Sequence, residues 1–201
     1  MEKNTIKPNL FTVLIQLMKL RVIVLLQITA ICAILVHDLI ARHGLIDIER
    51  TWYDTFFTMF ITIIGGTLSA GGSNAINMWY DSDIDVLMNR TKNRPIPRGY
   101  ISPNLALLFG IFISILGSSL FFILHWKAAF WSFFSVVFYV FIYTIWLKRK
   151  TPQNIVIGGA AGALPPVIGW TIATNSLSLE PLTFFLIIFF WTPSHFWALS
   201  L

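Results

Sequence analysis

Asn77, Asp81 and Asp85 stand four residues apart where a long apolar stretch ends, within the run NMWYDSDID over 77–85. On a continuous helix such residues step about 40° around the axis and roughly 6 Å along it, so they share one face. Two carboxylates at this spacing repel by about a few tenths of a kcal/mol. At a helix C-terminus they also meet the negative end of the macrodipole. The arrangement is unfavourable unless a cation binds. Magnesium fits, because it takes oxygen ligands, commonly one or two carboxylates plus substrate phosphates. Arg90, Lys92, Arg94 and Arg98 follow closely and would neutralise the remaining phosphate oxygens, the arginines through bidentate forks. The chemistry these residues support is the capture of a lipid-linked diphosphate, with Mg2+, at a membrane surface.

Two other readings compete. Asp81, Asp83 and Asp85 resemble the opening of a calcium loop, but Val86 and Lys92 stand where its glycine and closing glutamate belong, which excludes it. An ordinary solvated loop end is the blander reading. Against it, Asn77 lies in the membrane-proximal part of the apolar run, where an unused amide is expensive. Asp83 points off the shared face and is the weaker candidate.

Further along, Tyr143 and Lys148 lie in the run YTIWLKRKT over 143–151. They read either as diphosphate donors or as an interfacial aromatic belt with topogenic cations. His195 falls inside an apolar run, and a membrane-embedded histidine is a functional candidate by default. It could ligate haem iron, hydrogen-bond a propionate, or bond a neighbouring carbonyl. His37, His43 and His125 carry no comparable signal.

The elements that must position these residues are membrane helices. The chain has 201 residues, 56% of them hydrophobic and only 11% charged, and apolar runs near twenty residues recur. Six spans are expected, at about 20–40, 56–80, 105–124, 128–147, 154–173 and 183–201. No run alternates with the two-residue period of a barrel strand. The fold class is therefore an all-α, polytopic transmembrane helix bundle embedded in the lipid bilayer. Eleven of the fourteen Lys and Arg residues fall in the N-terminal segment (Lys3, Lys7, Lys19, Arg21), the second-to-third loop and the Lys148–Lys150 cluster; Arg42, Arg50 and Lys127 fall on the other side. This bias puts the N-terminus and the acidic motif in the cytoplasm. The net charge of +5 is thus topological, not the footprint of a nucleic-acid partner.

One cysteine, Cys32, excludes a disulfide framework and a thiolate metal site. No small-residue cleavage site follows the first apolar run, which reads as an uncleaved anchor. Gly65, Ser69 and Ser73, Gly66 and Ala70, and Gly158 and Gly162 recur at four-residue steps, a pattern of close helix packing or of room left for a flat ligand. Pro165, Pro166 and Pro193 predict kinks in the later spans.

Three runs resemble a known family: NMWYDSDIDVLMNRTKNRPIPRG over 77–99, TPQNIVIGGAAGALPPVIGW over 151–170 and WTPSHFWAL over 191–199. They are similar to the protohaem IX farnesyltransferases (haem O synthases), a branch of the UbiA-type intramembrane prenyltransferases. The resemblance covers essentially the whole chain in order. The first run carries the superfamily's NxxxDxxxD pattern, and the other two point to the haem-using branch.

The resemblance implies a multi-pass enzyme of the bacterial inner membrane with a central cavity open to lipid. Farnesyl diphosphate would bind through Mg2+ to Asn77, Asp81 and Asp85. Arg90, Arg94, Arg98, Tyr143 and Lys148 would hold the diphosphate. A vinyl group of protohaem IX would accept the farnesyl group, and a downstream haem A synthase or terminal oxidase would use the product. The same motif also suits a prenyltransferase acting on an aromatic or quinone precursor, and His195 suits a non-catalytic haem-binding protein or transporter. Family members have about nine helices and a second acidic motif after the sixth. This sequence, ending at Leu201 in an apolar run, reads as a single transmembrane domain over 1–201 comprising the N-terminal two-thirds of that fold. On that reading it is expected to have little transferase activity alone.

Overall fold

The computed structural model describes residues 8–45, 50–176 and 179–198. Lys3, Lys7 and residues 199–201 lie outside them. Among the described residues, six helical spans are long and apolar enough to cross a membrane, and no strand occurs.

The chain opens with a short helix that the span assignment did not include. α1 (Leu10–Met18) starts at Asn9, whose side chain accepts from Thr12 N at 2.8 Å, a side-chain N-cap. Its Val13 and Leu17, four apart and buried, pack on Ala75, Met78, Ile96, Ile101 and Ala106. The helix stops at Lys19, whose backbone is left-handed (φ 55°, ψ 55°). α2 (Leu20–Arg42) begins at the next residue. The first span is therefore preceded by a shelf and an elbow.

α3 (Trp52–Tyr80) is the longest helix and starts in a Thr51–Asp54 capping box. It lies against α5 (Pro103–Leu120). Their backbones approach so closely that a Cβ on Gly72 would sit 2.2 Å from Ser114 Oγ, and one on Gly117 would sit 2.3 Å from Ser69 N. Small residues serve this contact because helices in lipid gain little from apolar burial and associate by close packing. The Gly65–Ser69–Ser73 pattern thus finds its partner in α5.

A 3-10 turn (Phe121–Ile123) leads to α6 (Trp126–Val137), which continues as a π-helical segment, Phe138–Leu147. The fifth span is two helices, α7 (Asn154–Ala163) and α8 (Pro165–Thr174), parted at Leu164. Pro165 starts α8 at a position where its missing N–H is harmless. Pro193, by contrast, lies inside α9 (Glu180–Ala198), which runs through it. The Gly158/Gly162 pair also divides. Gly158 lies under the Tyr143 ring, whereas a Cβ on Gly162 would meet nothing within 4 Å. α8 packs on α2, with Gly169 against the Ala30 carbonyl.

Polar groups collect at the two ends of the bundle. At the end away from the acidic motif, Asp38 is 1% exposed and is held by Arg50 Nε at 3.1 Å, His37 Nδ1 at 2.8 Å and the Thr55 hydroxyl at 2.7 Å. Arg50 also donates to the Ile172 and Ala173 carbonyls in the last turn of α8 and to Thr58 Oγ1. One guanidinium therefore ties α2, α3 and α8 together.

Candidate active site

α3 ends at Tyr80, and Asp81 (φ −86°, ψ 0°) turns the chain into a one-turn helix, α4 (Ser82–Asp85). The helix is thus interrupted within the motif, unlike the continuous one assumed above. The four-residue hydrogen bonds survive the break, from Asp81 N to Asn77 O at 3.1 Å and from Asp85 N to Asp81 O at 2.9 Å. Asn77, Asp81 and Asp85 therefore stay together, exposed by only 3%, 4% and 3%. Asp83 leaves the stripe; its side chain is 63% exposed.

Each stripe residue carries a cationic partner from a different segment. Arg94 grips Asp85 with Nη1 at 2.8 and 2.7 Å from the two carboxylate oxygens. Lys148, just past the π-helical segment, pairs with Asp81. Lys19, at the α1–α2 elbow, donates to Asn77 Oδ1 at 3.1 Å, while Asn77 Nδ2 donates to Thr144 Oγ1 at 3.2 Å. One oxygen is left over. Asp81 Oδ1 is buried and has no hydrogen-bond partner, an arrangement that is expensive unless a ligand completes it.

Beside these residues is a cleft of about 180 Å3 lined by Asp81, Ile84, Asp85, Met88, Arg90, Thr91, Arg94, Lys148 and Arg149. Four cations face two carboxylates there, so the cleft favours an anion. Arg90 belongs to this lining, as the sequence suggested. Arg98 does not; its guanidinium turns to Asn93 within the loop. Tyr143 lies deeper, stacked on Tyr139 at 5.2 Å, with Lys148 Nζ 5.8 Å from its ring centroid. His195 is exposed on α9, stacked on Trp191 at 4.3 Å, and does not line the cleft. A second, apolar crevice of about 150 Å3 between α2, α8 and α9 includes Cys32, Pro166 and Phe184.

Sequence reading assigned Lys19 and Arg149 only to topology. Arg149 forms a fork on Asp83, at 3.0 and 2.7 Å, and holds that carboxyl below the usual carboxylate range. For Lys19, burial first, and then the Arg94 and Lys148 charges, bring the ammonium down to about 8. Asn74 and Tyr139 form a further polar layer one turn deeper than Asn77. Asn74 Nδ2 donates to the Met18 carbonyl at 2.9 Å, and Tyr139 OH donates to Asn74 Oδ1 at 3.3 Å. The legible signal for Asn74 was its place three residues before Asn77 in an apolar helix. Nothing local marked Lys19, because its role depends on a backbone elbow.

The model of the UbiA prenyltransferase family matches residues 30–201. A protoheme IX farnesyltransferase of Pelagibacter ubique is 65% identical over 142 residues, covering 70% of this chain and 47% of that protein. One from Bartonella tribocorum is 48% identical over 204 residues, covering 99% of this chain and 60% of that protein. The protoheme IX farnesyltransferase 2 of Mesorhizobium japonicum is 56% identical over 142 residues, covering 70% of this chain and 45% of that protein. The chain therefore spans about half the length of the curated relatives it matches. No solved structure matches it. With a buried, cation-held NxxxDxxxD stripe at one end of a six-span helical bundle, the chain belongs to the UbiA prenyltransferase family.

Proposed function

We propose that this chain provides the diphosphate-binding half of a membrane prenyltransferase that takes farnesyl diphosphate and transfers the farnesyl group to a vinyl carbon of protohaem IX. The observation that carries the reading is the cleft itself, two buried carboxylates outnumbered by four cations, with Asp81 Oδ1 left bare. The acceptor is inferred from the relatives, which are protoheme IX farnesyltransferases.

Magnesium suits the residues present. Two carboxylates and an amide, with Asp81 Oδ1 unpaired, suit an ion shared with diphosphate oxygens, since Mg2+ commonly takes one or two carboxylates plus substrate phosphates. Asn77, Asp81 and Asp85 would hold it, and it would add positive charge where the leaving pyrophosphate develops negative charge. The protein's own cations do the same work from fixed positions. Arg94, Lys148 and Arg90 bind the phosphate oxygens and favour departure of the pyrophosphate. The stacked Tyr139 and Tyr143 rings offer negative faces to an allylic cation. The acceptor carbon then attacks, and water adds to the cation left on the vinyl group, giving a hydroxyethylfarnesyl side chain with release of a proton. We further infer from the Lys and Arg distribution that this end of the bundle and the N-terminus are cytoplasmic, and from the bacterial relatives that the membrane is a bacterial inner membrane.

The test has two parts. Calorimetric titration of the chain in lipid nanodiscs with farnesyl diphosphate should show Mg2+-dependent binding that Asp81→Ala and Asp85→Ala weaken by about 10- to 100-fold. Equal binding by all three proteins overturns the reading. The acceptor is tested by joining the chain to the C-terminal part of the Bartonella tribocorum relative and supplying haem. Mass spectrometry should show haem enlarged by a farnesyl group and a hydroxyl. A prenylated aromatic acid instead would reassign the acceptor. Haem binding with no dependence on Asp81 or Asp85 and no product would favour a non-catalytic role.

A further inference from the structure

Every side-chain oxygen of the acidic stripe that has a partner is held by a cation from elsewhere: Asp85 by Arg94, Asp81 by Lys148, and Asn77 by Lys19. Lys19 is the least expected of the three. It occupies a left-handed backbone position, one of two such non-glycine residues among those described, and a side chain there is strained relative to glycine. The elbow is fastened to α3 twice, one turn apart. Asn74 donates to the Met18 carbonyl, and Lys19 donates to Asn77. The amine is thereby delivered from one side of Asn77, while Thr144 and Lys148 approach from the π-helical segment.

An amide oxygen holding an ammonium cannot also face a metal ion comfortably, because two cations would share one weak acceptor. The cations are already crowded, since Arg94 and Lys148 hold Asp85 and Asp81 on the same stripe on which Lys19 holds Asn77. An arriving anion relieves that crowding. We propose that Lys19 is a diphosphate-binding residue that waits on Asn77 Oδ1 and moves to a phosphate oxygen when Mg2+ and diphosphate enter, freeing the amide oxygen for the metal. This rests on the reading of the cleft as a prenyl diphosphate site. It makes the α1–α2 elbow, and with it the shelf helix α1, part of the substrate site rather than a topological anchor.

The experiment titrates farnesyl diphosphate at saturating Mg2+ into the full chain in nanodiscs, comparing Lys19→Gly, Lys19→Met, Lys19→Arg and Asp85→Ala. Lys19→Gly is the informative variant, because it relaxes the left-handed backbone while removing the amine. Thermal unfolding should therefore stay unchanged or rise. Loss of one charge-assisted contact should weaken binding about tenfold in the Gly and Met variants, with Lys19→Arg within about threefold of the parent. A residue that merely orients Asn77 would alter the Mg2+ concentration needed and leave affinity at saturating Mg2+ untouched, which overturns the proposal. Parent-like affinity of the Gly and Met variants beside a weakened Asp85→Ala overturns Lys19 alone. Parent-like affinity of Asp85→Ala overturns the site reading and this inference together. If both uncharged variants unfold, acylation of the unmutated chain decides. Mg2+ with farnesyl diphosphate should protect Lys19 several-fold relative to Lys92, and equal labelling rejects the proposal.

Discussion

At the scale of single residues, the site is a set of matched charges in which geometry separates similar side chains. Asp81 and Asp85 are nearly inaccessible and each holds one cation, whereas Asp83 is exposed and paired with Arg149. Asp81→Ala or Asp85→Ala should weaken Mg2+-dependent farnesyl diphosphate binding by about 10- to 100-fold, the range for losing a hydrogen bond to a charged group. Asp83→Ala should change it by less than about threefold, since exposed pairs contribute little. Titration calorimetry separates the two. The stripe could be read from spacing alone, because a four-residue step brings side chains together on any helix. The partners could not. Arg94 reaches Asp85 through a loop, and Lys148 and Lys19 arrive from segments far along the chain.

At the scale of elements, close helix packing sets the frame. Gly72 and Gly117 bring α3 against α5 at backbone distance. Gly72→Leu or Gly117→Leu should lower stability by about 1–3 kcal/mol or more through overpacking, read as a drop in thermal unfolding in detergent. Gly162→Ala should be neutral, because nothing lies within 4 Å of the added carbon. The sequence pattern treats Gly158 and Gly162 alike; the fold does not, because Tyr143 covers only one of them. Proline behaviour divides for a similar reason. Pro165 falls where α8 begins, and a helix start tolerates proline, while Pro193 is carried inside α9. The π-helical segment was illegible in advance. It depends on a register shift over Phe138–Leu147, in which Tyr139 and Thr144 bond to α3 while Tyr143 lies over Gly158 of α7, and wide turns of this kind occur often at functional sites.

At the scale of the whole molecule, the bundle has one end that carries the acidic stripe and one clamped end. Arg50 stands at the clamped end, and Arg50→Met would leave Asp38 with a buried, unneutralised charge. A loss of about 3–5 kcal/mol of stability is expected, measured by thermal unfolding, with farnesyl diphosphate affinity in the folded fraction unchanged because Arg50 lies at the opposite end from the cleft. Orientation is tested in a Cys32→Ser background. A cysteine placed at Asn93 should react with an impermeant maleimide only from the cytoplasmic side, and one at Asn175 only from the outer side. Reversal of that pattern would invert the proposed topology.

The sequence by itself determined that the chain crosses a membrane repeatedly as helices, because hydropathy and length act through local composition and the bilayer forbids unpaired backbone. It also determined the stripe Asn77, Asp81 and Asp85, because helical periodicity is a local property. Only the tertiary structure decided which cations answer those oxygens, that Arg98 and His195 stand apart from the cleft, and that Lys19 reaches Asn77 Oδ1. Those outcomes depend on where separate segments meet, and Lys19 depends further on a left-handed backbone turn that contacts with α3 hold in place.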